Sequence, residues 1–408
     1  MEKEIYQIRK KETSITVTNS SIESIRTKDI TKTGCRVYEN GFIGVSGIIG
    51  EADEELLANE AKDRLSLKIP YTAKPSSDQV LSVNQVKDTT SSKEVLDDLE
   101  QILEMARKEY SDFILSNSVK VGEITTTLKN TQNTNLSHTA KCFSLELIAR
   151  EKNSINIFDT AAVGIWENWD PSLIVKALQD GLGGYRKKLS LPQEKKMPVI
   201  FQIDSDNPLL EKFLTELNGN KIGNKASLLS PYIGKAKFNP NFTLFQDRTG
   251  ALYNPFFDAE GVICKEYQYP FIEKGIVQSG YTDKQIANKF NLPLTGSASA
   301  AYDEVPNLGY PPLNIKDSGK TLKELLNGEL GLYVIAASGG DFTPDGHYAC
   351  PVQLAMLTDG EKFLGRVPEF AISGHLFDLF GDDFIGVSKD KPFQGLPSLV
   401  VNMNISSH

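Results

Sequence analysis

The sequence predicts an α+β fold, with an N-terminal α+β domain of antiparallel strands and helices followed by a mostly β C-terminal domain. Three observations carry this. Polar and apolar residues alternate at 14–18, and two strand-like runs flank an Asn-Gly pair, the pattern of antiparallel hairpins. Apolar residues three and four apart mark amphipathic helices between such runs. From about residue 231 onward, glycine, proline and short strand-like runs dominate.

Ser14-Ile15-Thr16-Val17-Thr18 places one strand face on a core. Residues 34–38 and 42–46 read as two strands joined through Glu39-Asn40-Gly41. Asp53 then caps a helix with Glu54 and Glu55 at its positive end and Leu56, Leu57, Ala61 and Leu65 as its stripe. Residues 68–92, with Pro70 and Pro75, read as a connector. A second helix follows, with Val95, Leu96, Leu99, Ile102, Leu103 and Ala106 on one face and Ser91 or Ser92 as its cap. Residues 119–124 and 143–149 are strands around a polar turn region at 129–137. Asp170-Pro171 opens a third helix, expected to end at the glycines of 181–184. The boundary is placed at Pro192, giving domains 1–192 and 193–408. Residues 198–203 begin the second domain as a strand. Asn207-Pro208 opens a short helix over 209–217.

Composition narrows the functional classes. Hydrophobic residues make up 40% and charged residues 24% of 408 positions, as in a soluble globular protein. A net charge of −9 argues against a general nucleic-acid binder. No run of 18 apolar residues offers a membrane span, and the charged amino terminus is not a secretory signal. Cys35, Cys142, Cys264 and Cys350 form no CxxC pair and read as reduced thiols. These features together point to the cytoplasm.

Complete catalytic signatures are missing. His138, His347, His375 and His408 include no His-x-x-x-His helix pair, and there is no Gly-x-Ser-x-Gly elbow. Gly319-Lys320-Thr321 resembles the end of a phosphate loop whose leading glycine is replaced by Asn314. The densest constellation is residues 338–350, which place two carboxylates, an imidazole and a thiol among glycines. His347 and Cys350 could ligate a metal with His375 as a third donor, but the plainer reading is a Gly-rich turn with a satisfied His and a buried Cys. Phe257-Asp258-Ala259-Glu260-Gly261 holds a carboxylate pair suited to acid–base work, although a solvated turn is the default. Trp166 and Trp169 flank a helix start, where packing is the simpler role.

The ordered set of segments resembles the TldD/PmbA family. It runs from residues 41–47 and 67–71, through 257–262, 272–277 and 294–298, to the Gly-rich 338–346 and finally 371–380 and 385–388. The resemblance implies a heteromeric cytoplasmic protease whose TldD-type member carries a His-Glu-x-x-x-His zinc helix and a further Cys ligand. The two members would enclose a chamber acting on unfolded peptides and peptide precursors. Here the corresponding helix, residues 209–217, has no His, and residues 388–396 have no Cys. No zinc ligand carries over, so the likeness is to the TldE/PmbA type. The expectation is a non-catalytic subunit without a cofactor of its own, paired with a zinc-bearing TldD-type partner and a peptide substrate. Loops at Gly296, Gly339, Gly340 and Gly374 are the expected substrate contacts, and catalytic residues are not assigned. Two other readings stand beside it. One is an autonomous metallohydrolase built on His347, Cys350 and His375; the other is a homodimeric peptide-binding protein.

Overall fold

The computed structural model describes residues 1–50, 52–156, 159–204, 207–249, 254–393 and 395–407. Its architecture is α+β. The chain opens with a hairpin far longer than the alternation at 14–18 suggests. Strand β1 (Glu2–Thr18) pairs antiparallel with β2 (Ser21–Glu39) along its length. The charged opening is therefore strand. Ile5, Ile15 and Val17 are buried, while Arg9 and Lys11 reach across to Asp29 and Glu123. The turn into β3 (Phe42–Ile49) sets Asn40 at φ 52° and Gly41 at φ 80°, the positive-φ pair that matches hairpin twist.

Helix α1 (Glu54–Asp63) is capped by Asp53, which accepts from the amides of Glu55 and Leu56 at 3.0 and 3.1 Å. The stretch expected to be irregular holds two strands, β4 (Ile69–Pro70) on β3 and β5 (Gln79–Asn84), the latter parallel to β7. Its polar composition hid β5, which takes its register from the partner strand rather than from its own alternation. Helix α2 (Ser92–Glu109) begins in a capping box of Ser91 and Glu94 and buries Val95, Leu99, Ile102, Leu103 and Ala106. Strands β6 (Phe113–Asn130) and β7 (Thr134–Glu151) form a second long hairpin, so the turn is only residues 131–133. Strand β8 (Thr160–Trp166) adds to β7. The sheet order is β4-β3-β2-β1-β6-β7-β5. Helix α3 (Pro171–Arg186), capped by Asp170, continues through the glycines expected to end it. A Cβ on Gly184 would lie 2.9 Å from the Phe363 Cβ, so glycine here permits close packing inside a helix.

The second half begins with β9 (Lys196–Gln202), α4 (Pro208–Glu216) and α5 (Gly219–Gly223). A small sheet and bridging pieces follow: β10 (Leu244–Asp247), β11 (Gln268–Glu273), β12 (Ile276–Val277), α6 (Lys284–Phe290), β13 (Ala298–Ser299), β14 (Asn307–Leu308), β15 (Leu313–Ile315) and α7 (Leu322–Leu326). The phosphate-loop fragment is the cap of α7, where Thr321 and Glu324 form a capping box. The main sheet comprises β9, β16 (Gly331–Ala337), β17 (Asp341–Phe342), β18 (His347–Thr358), β19 (Phe363–Arg366), β20 (Phe370–His375), β21 (Phe384–Val387) and β22 (Ser398–Ser407), with the short helix α8 (Leu376–Leu379) following β20. Strands β16, β9, β22, β20 and β18 pair in that order, and β18 pairs back onto β16, closing a ring.

Both faces of this ring are covered. Met197, Val199 and Phe201 of β9 join one core with Leu209 and Phe213 of α4, while Ile200 joins another with residues of α2, α3, β6 and β7. That second core contains Val400, Tyr333, Met356 and Phe363 alongside Val95, Leu99 and Leu178. The 192/193 division lies between α3 and β9, and this core draws on both sides of it. Trp166 and Trp169 pack against it, with the Trp169 indole N–H donating to Asp98 at 2.8 Å.

A buried polar joint fastens the first sheet to the second half. Residues 257–261, expected as a solvated turn, are instead inserted against the sheet. Asp258 and Glu260 are 2% and 3% exposed. Phe256 and Phe257 fill a pocket with Tyr6, Leu128 and Leu136. Arg36 donates to Glu4 at 3.0 Å and to the carbonyl of Ala259, and Tyr38 also donates to Glu4. Asp258 accepts from the amides of Glu260, Val262 and Ala298, each at 2.9 Å. Glu260 accepts from the Tyr71 hydroxyl and the Lys284 amide. Its carboxyl is pushed up to about 8, first by burial and then by the nearby Asp258 charge.

Two outcomes follow from the joint. Arg36→Met should cost about 3–5 kcal/mol by urea denaturation, because it strands Glu4 as a buried charge; a change under about 1 kcal/mol would refute the pairing argument. Glu260 binds its proton more tightly folded than unfolded. Its contribution is therefore complete below the ordinary value of 4.5 and is lost as pH rises through about 8. Glu260→Gln should flatten the fall in stability between pH 5 and 8 by about 1–3 kcal/mol, read from paired denaturation curves. Parallel wild-type and variant pH profiles would contradict this assignment.

Candidate functional site

The Gly-rich stretch folds as two consecutive turns. Gly339, at φ 83°, turns β16 into β17, and Gly346, at φ 97°, turns β17 into β18. In the second turn the amide of His347 donates to the Thr343 hydroxyl at 3.0 Å, and the amide of Thr343 donates to the His347 carbonyl at 2.7 Å. The imidazole of His347 faces the Asp345 carboxylate, Nδ1 to Oδ2 at 3.1 Å. Across the β18–β20 ladder its direct partner is His375, and the two rings meet edge to face at 4.7 Å.

His375 is already committed on both nitrogens. Nδ1 accepts from the Phe377 amide at 3.3 Å, capping α8, which leaves Nε2–H to donate to the Asp345 carbonyl at 3.0 Å. Cys350 lies three residues beyond His347 on the same strand, so it points to the opposite face, where it is buried in the apolar core. The structure thus joins His347 to His375 and separates Cys350 from both. No group of three or more His, Cys, Asp or Glu side chains among the described residues is placed to hold a metal ion. His408 lies outside the described residues.

The four glycines do not converge. A Cβ on Gly340 would sit 2.4 Å from the Ala349 carbonyl, and one on Gly374 would sit 2.6 Å from Leu379. Close packing requires both. Gly374 lines a cavity of about 440 Å³ with His347, His375, Asp341 and Lys196. Gly296, at φ 65°, belongs to a buried loop whose carbonyl accepts from Arg248 at 3.3 Å.

A larger cleft, about 1230 Å³, opens between the two halves. Its floor is residues 334–338 of β16 and the turn after it, and its walls come from β8, the end of α3, the start of α4 and residues 366–369. Among the described residues β16 pairs with β9 at Leu332 and Tyr333, and the cleft lies beyond them. From Val334 to Ala337, β16 is paired among the described residues along one side, to β18. Asn207 caps α4 at the cleft, accepting from the amides of Leu209 and Leu210. Further along α4, outside the cleft lining, Lys212 and Glu216 form a buried ion pair at 3.0 Å, and Glu216 also accepts from the Leu228 amide at 2.8 Å. An ammonium and an engaged carboxylate, with no imidazole or thiolate beside them, do not suit zinc.

On the opposite wall the guanidinium of Arg366 lies over the ring of Tyr185, 3.7 Å from its centroid. The Tyr185 hydroxyl donates to Asp159 at 2.7 Å. Asp159 also accepts from the Glu151 amide, Ser154 and Asn156, and these bonds hold its carboxyl below the usual range against the opposing effect of burial. Sequence reading missed this wall. Its members come from helix α3, strand β8 and strand β19, and no spacing in the chain announces their meeting.

The C-terminal half, residues 194–407, matches the model of the PmbA/TldA metallopeptidase C-terminal domain. No curated protein matches the chain. Among solved structures it is similar to TldE from Thermococcus kodakarensis, with a TM-score of 0.81 and 19% identity over 100% of this chain and 97% of that one. It is also similar to a candidate modulator of a DNA gyrase from Thermotoga maritima, with a TM-score of 0.77 and 19% identity over 99% and 96%. A third, a candidate modulator of DNA gyrase from Bacteroides thetaiotaomicron, gives a TM-score of 0.77 and 16% identity over 100% and 95%. The matched half contains the ring, the α4 helix and most of the cleft floor, and on that match the chain belongs to the PmbA/TldD family.

Proposed function

We propose that this chain is the non-catalytic subunit of a two-subunit metalloprotease, forming part of the chamber in which unfolded peptides or peptide precursors are held and cut. The observation that carries the reading is the cleft itself. It offers a strand with one edge unpaired among the described residues, at residues 334–337, beside a helix that carries no His or Cys. An extended peptide can add to such an edge through backbone hydrogen bonds, which tolerates many sequences.

The chemistry then has to come from a partner. A TldD-type subunit would supply zinc, polarising the peptide carbonyl and activating water. This chain's residues would hold the substrate extended and keep bulk water from it. The proposed compartment is the cytoplasm. All four cysteines are buried thiols, none in a disulfide, and no helix of the described residues is long and apolar enough to cross a membrane.

Elemental analysis and peptide-cleavage assays on the tag-free chain, alone and mixed with a TldD-type partner, test the proposal. The chain alone should carry no stoichiometric zinc and cleave nothing; the mixture should form a complex, carry zinc and cleave unstructured peptides. One zinc per isolated chain, with cleavage lost in His347→Ala, would replace this reading with an autonomous hydrolase. A stable homodimer that ignores every metal-bearing relative would replace it with a peptide-binding scaffold.

A further inference from the structure

Three arginines among the described residues are withdrawn from solvent, and two of them are fully buried and bonded in part by the protein, with Nε and Nη2 of Arg36 and Nε of Arg248 left without a partner. Arg36 meets Glu4 and the Ala259 carbonyl; Arg248 donates to the carbonyls of Pro255 and Gly296. Arg366 differs in its place, at the cleft surface. It is half-buried, it lines the cleft, and no carboxylate of the described residues lies within 4.0 Å of it. Its contacts are the face of Tyr185 and that ring's hydroxyl. A half-buried guanidinium with few acceptors is costly unless something else supplies them.

The position is rigid. The Arg366 amide donates to Lys187 at 2.8 Å and its carbonyl accepts from Leu189 at 2.9 Å, while its strand pairs with Met356. Tyr185, the platform, is pinned through its hydroxyl to Asp159. Asp159, which holds Tyr185, already accepts four hydrogen bonds. Glu146, Asp204 and Glu369 also line the cleft, as does Lys188, so the cleft is not basic as a whole. What it has is one fixed, planar donor group on the wall facing the unpaired edge of β16.

We propose that Arg366 is a substrate anchor: it binds a carboxylate of the peptide laid along β16, either the C-terminal carboxylate or an acidic side chain. The proposal rests on the peptide-binding reading of the cleft and adds a preference to it. Backbone pairing at β16 ignores sequence, whereas a forked guanidinium selects a planar carboxylate. The stacking on Tyr185 aligns that fork in advance, which lowers the ordering cost of binding.

Fluorescence anisotropy with the full chain decides it. The probe is a labelled, unstructured peptide of small uncharged residues in three forms: C-terminal acid, C-terminal amide, and C-terminal amide with one internal glutamate. Wild type should bind one or both carboxylate forms about tenfold more tightly than the plain amide, the scale of one charge-assisted pair. Preference for the acid form identifies a terminal carboxylate, and preference for the glutamate form identifies a side chain. R366Q should bring the carboxylate forms down to the affinity of the plain amide, and R366K should retain part of the preference. Equal binding of all three forms by wild type overturns the anchor but leaves the peptide cleft standing, as does an equal loss for every form in R366Q. Failure of all three forms to bind the chain, alone and in complex with a metal-bearing partner, overturns the cleft reading and the anchor with it. If R366Q melts early, the wild-type preference and R366K still give the answer.

Discussion

Two-sided burial of the β9–β22 pair is the constraint on which the rest of the molecule depends. Along β9, Met197, Val199 and Phe201 face one core and Ile200 faces another; along β22, Leu399 and Val401 face the first and Val400 the second. A strand covered on both faces must be apolar at consecutive positions, and this is why Pro198-Val199-Ile200-Phe201 shows no alternation. The two cores then divide the labour. One binds α4 and the small sheet of residues 244–315 to the ring, and the other binds the ring to α2 and α3. The cleft lies beyond the pairing of β16 with β9.

The joint at residues 256–261 solves a different problem. Apolar contact would hold the long first sheet against the second half but would not fix its angle. Arg36, Glu4, Asp258 and Glu260 supply directional bonds in a place from which water is excluded. Buried ion pairs are poor sources of net stability, since desolvation offsets much of their attraction. Their value here is geometric. With the angle fixed, the wall carrying Tyr185 stands at a set distance from the floor made by β16. The paired carboxylates that sequence reading weighed for acid–base work are thus occupied in holding two parts of the fold in register.

Legibility in the sequence followed the range of the interaction. Caps and turns are local. Asp53, Ser91, Asp170 and Asn207 were readable as caps and Asn40-Gly41 as a turn, because each signal lies within four residues of its effect. Strand length was not readable. Strands β1 and β2 run on through charged, exposed residues because each is paired by its neighbour, a long-range cause that leaves no period in the chain. Glycine was misread where its role was packing. The 181–184 run looked like a helix end, yet Gly184 faces Phe363 from a distant strand. The ordered motifs carried the family; they did not carry the cleft. His347 and His375 meet through strand register, Cys350 departs through strand parity, and the Arg366–Tyr185 pair joins β19 to α3.

The α4 helix carries no His or Cys, and its buried polar side chains are engaged with one another. Its cap at Asn207 and its core contacts through Leu209 and Phe213 are those of an ordinary buried helix. A helix that held zinc at this place would have to turn imidazoles toward the cleft and exclude competing cations. Here Lys212 and Glu216, one turn apart, neutralise each other, and Glu216 is further tied to the Leu228 amide. The carboxylate is held below its ordinary range by that amide and the two lysines nearby, which outweigh the opposing effect of burial, so it is ionised and spoken for. A single substitution to histidine would leave an ammonium beside the new ligand. Building a metal site here therefore requires several coordinated changes, while the neighbouring strand edge depends only on backbone geometry. Under the proposed function, holding a peptide at the strand edge and cutting it are tasks of different subunits.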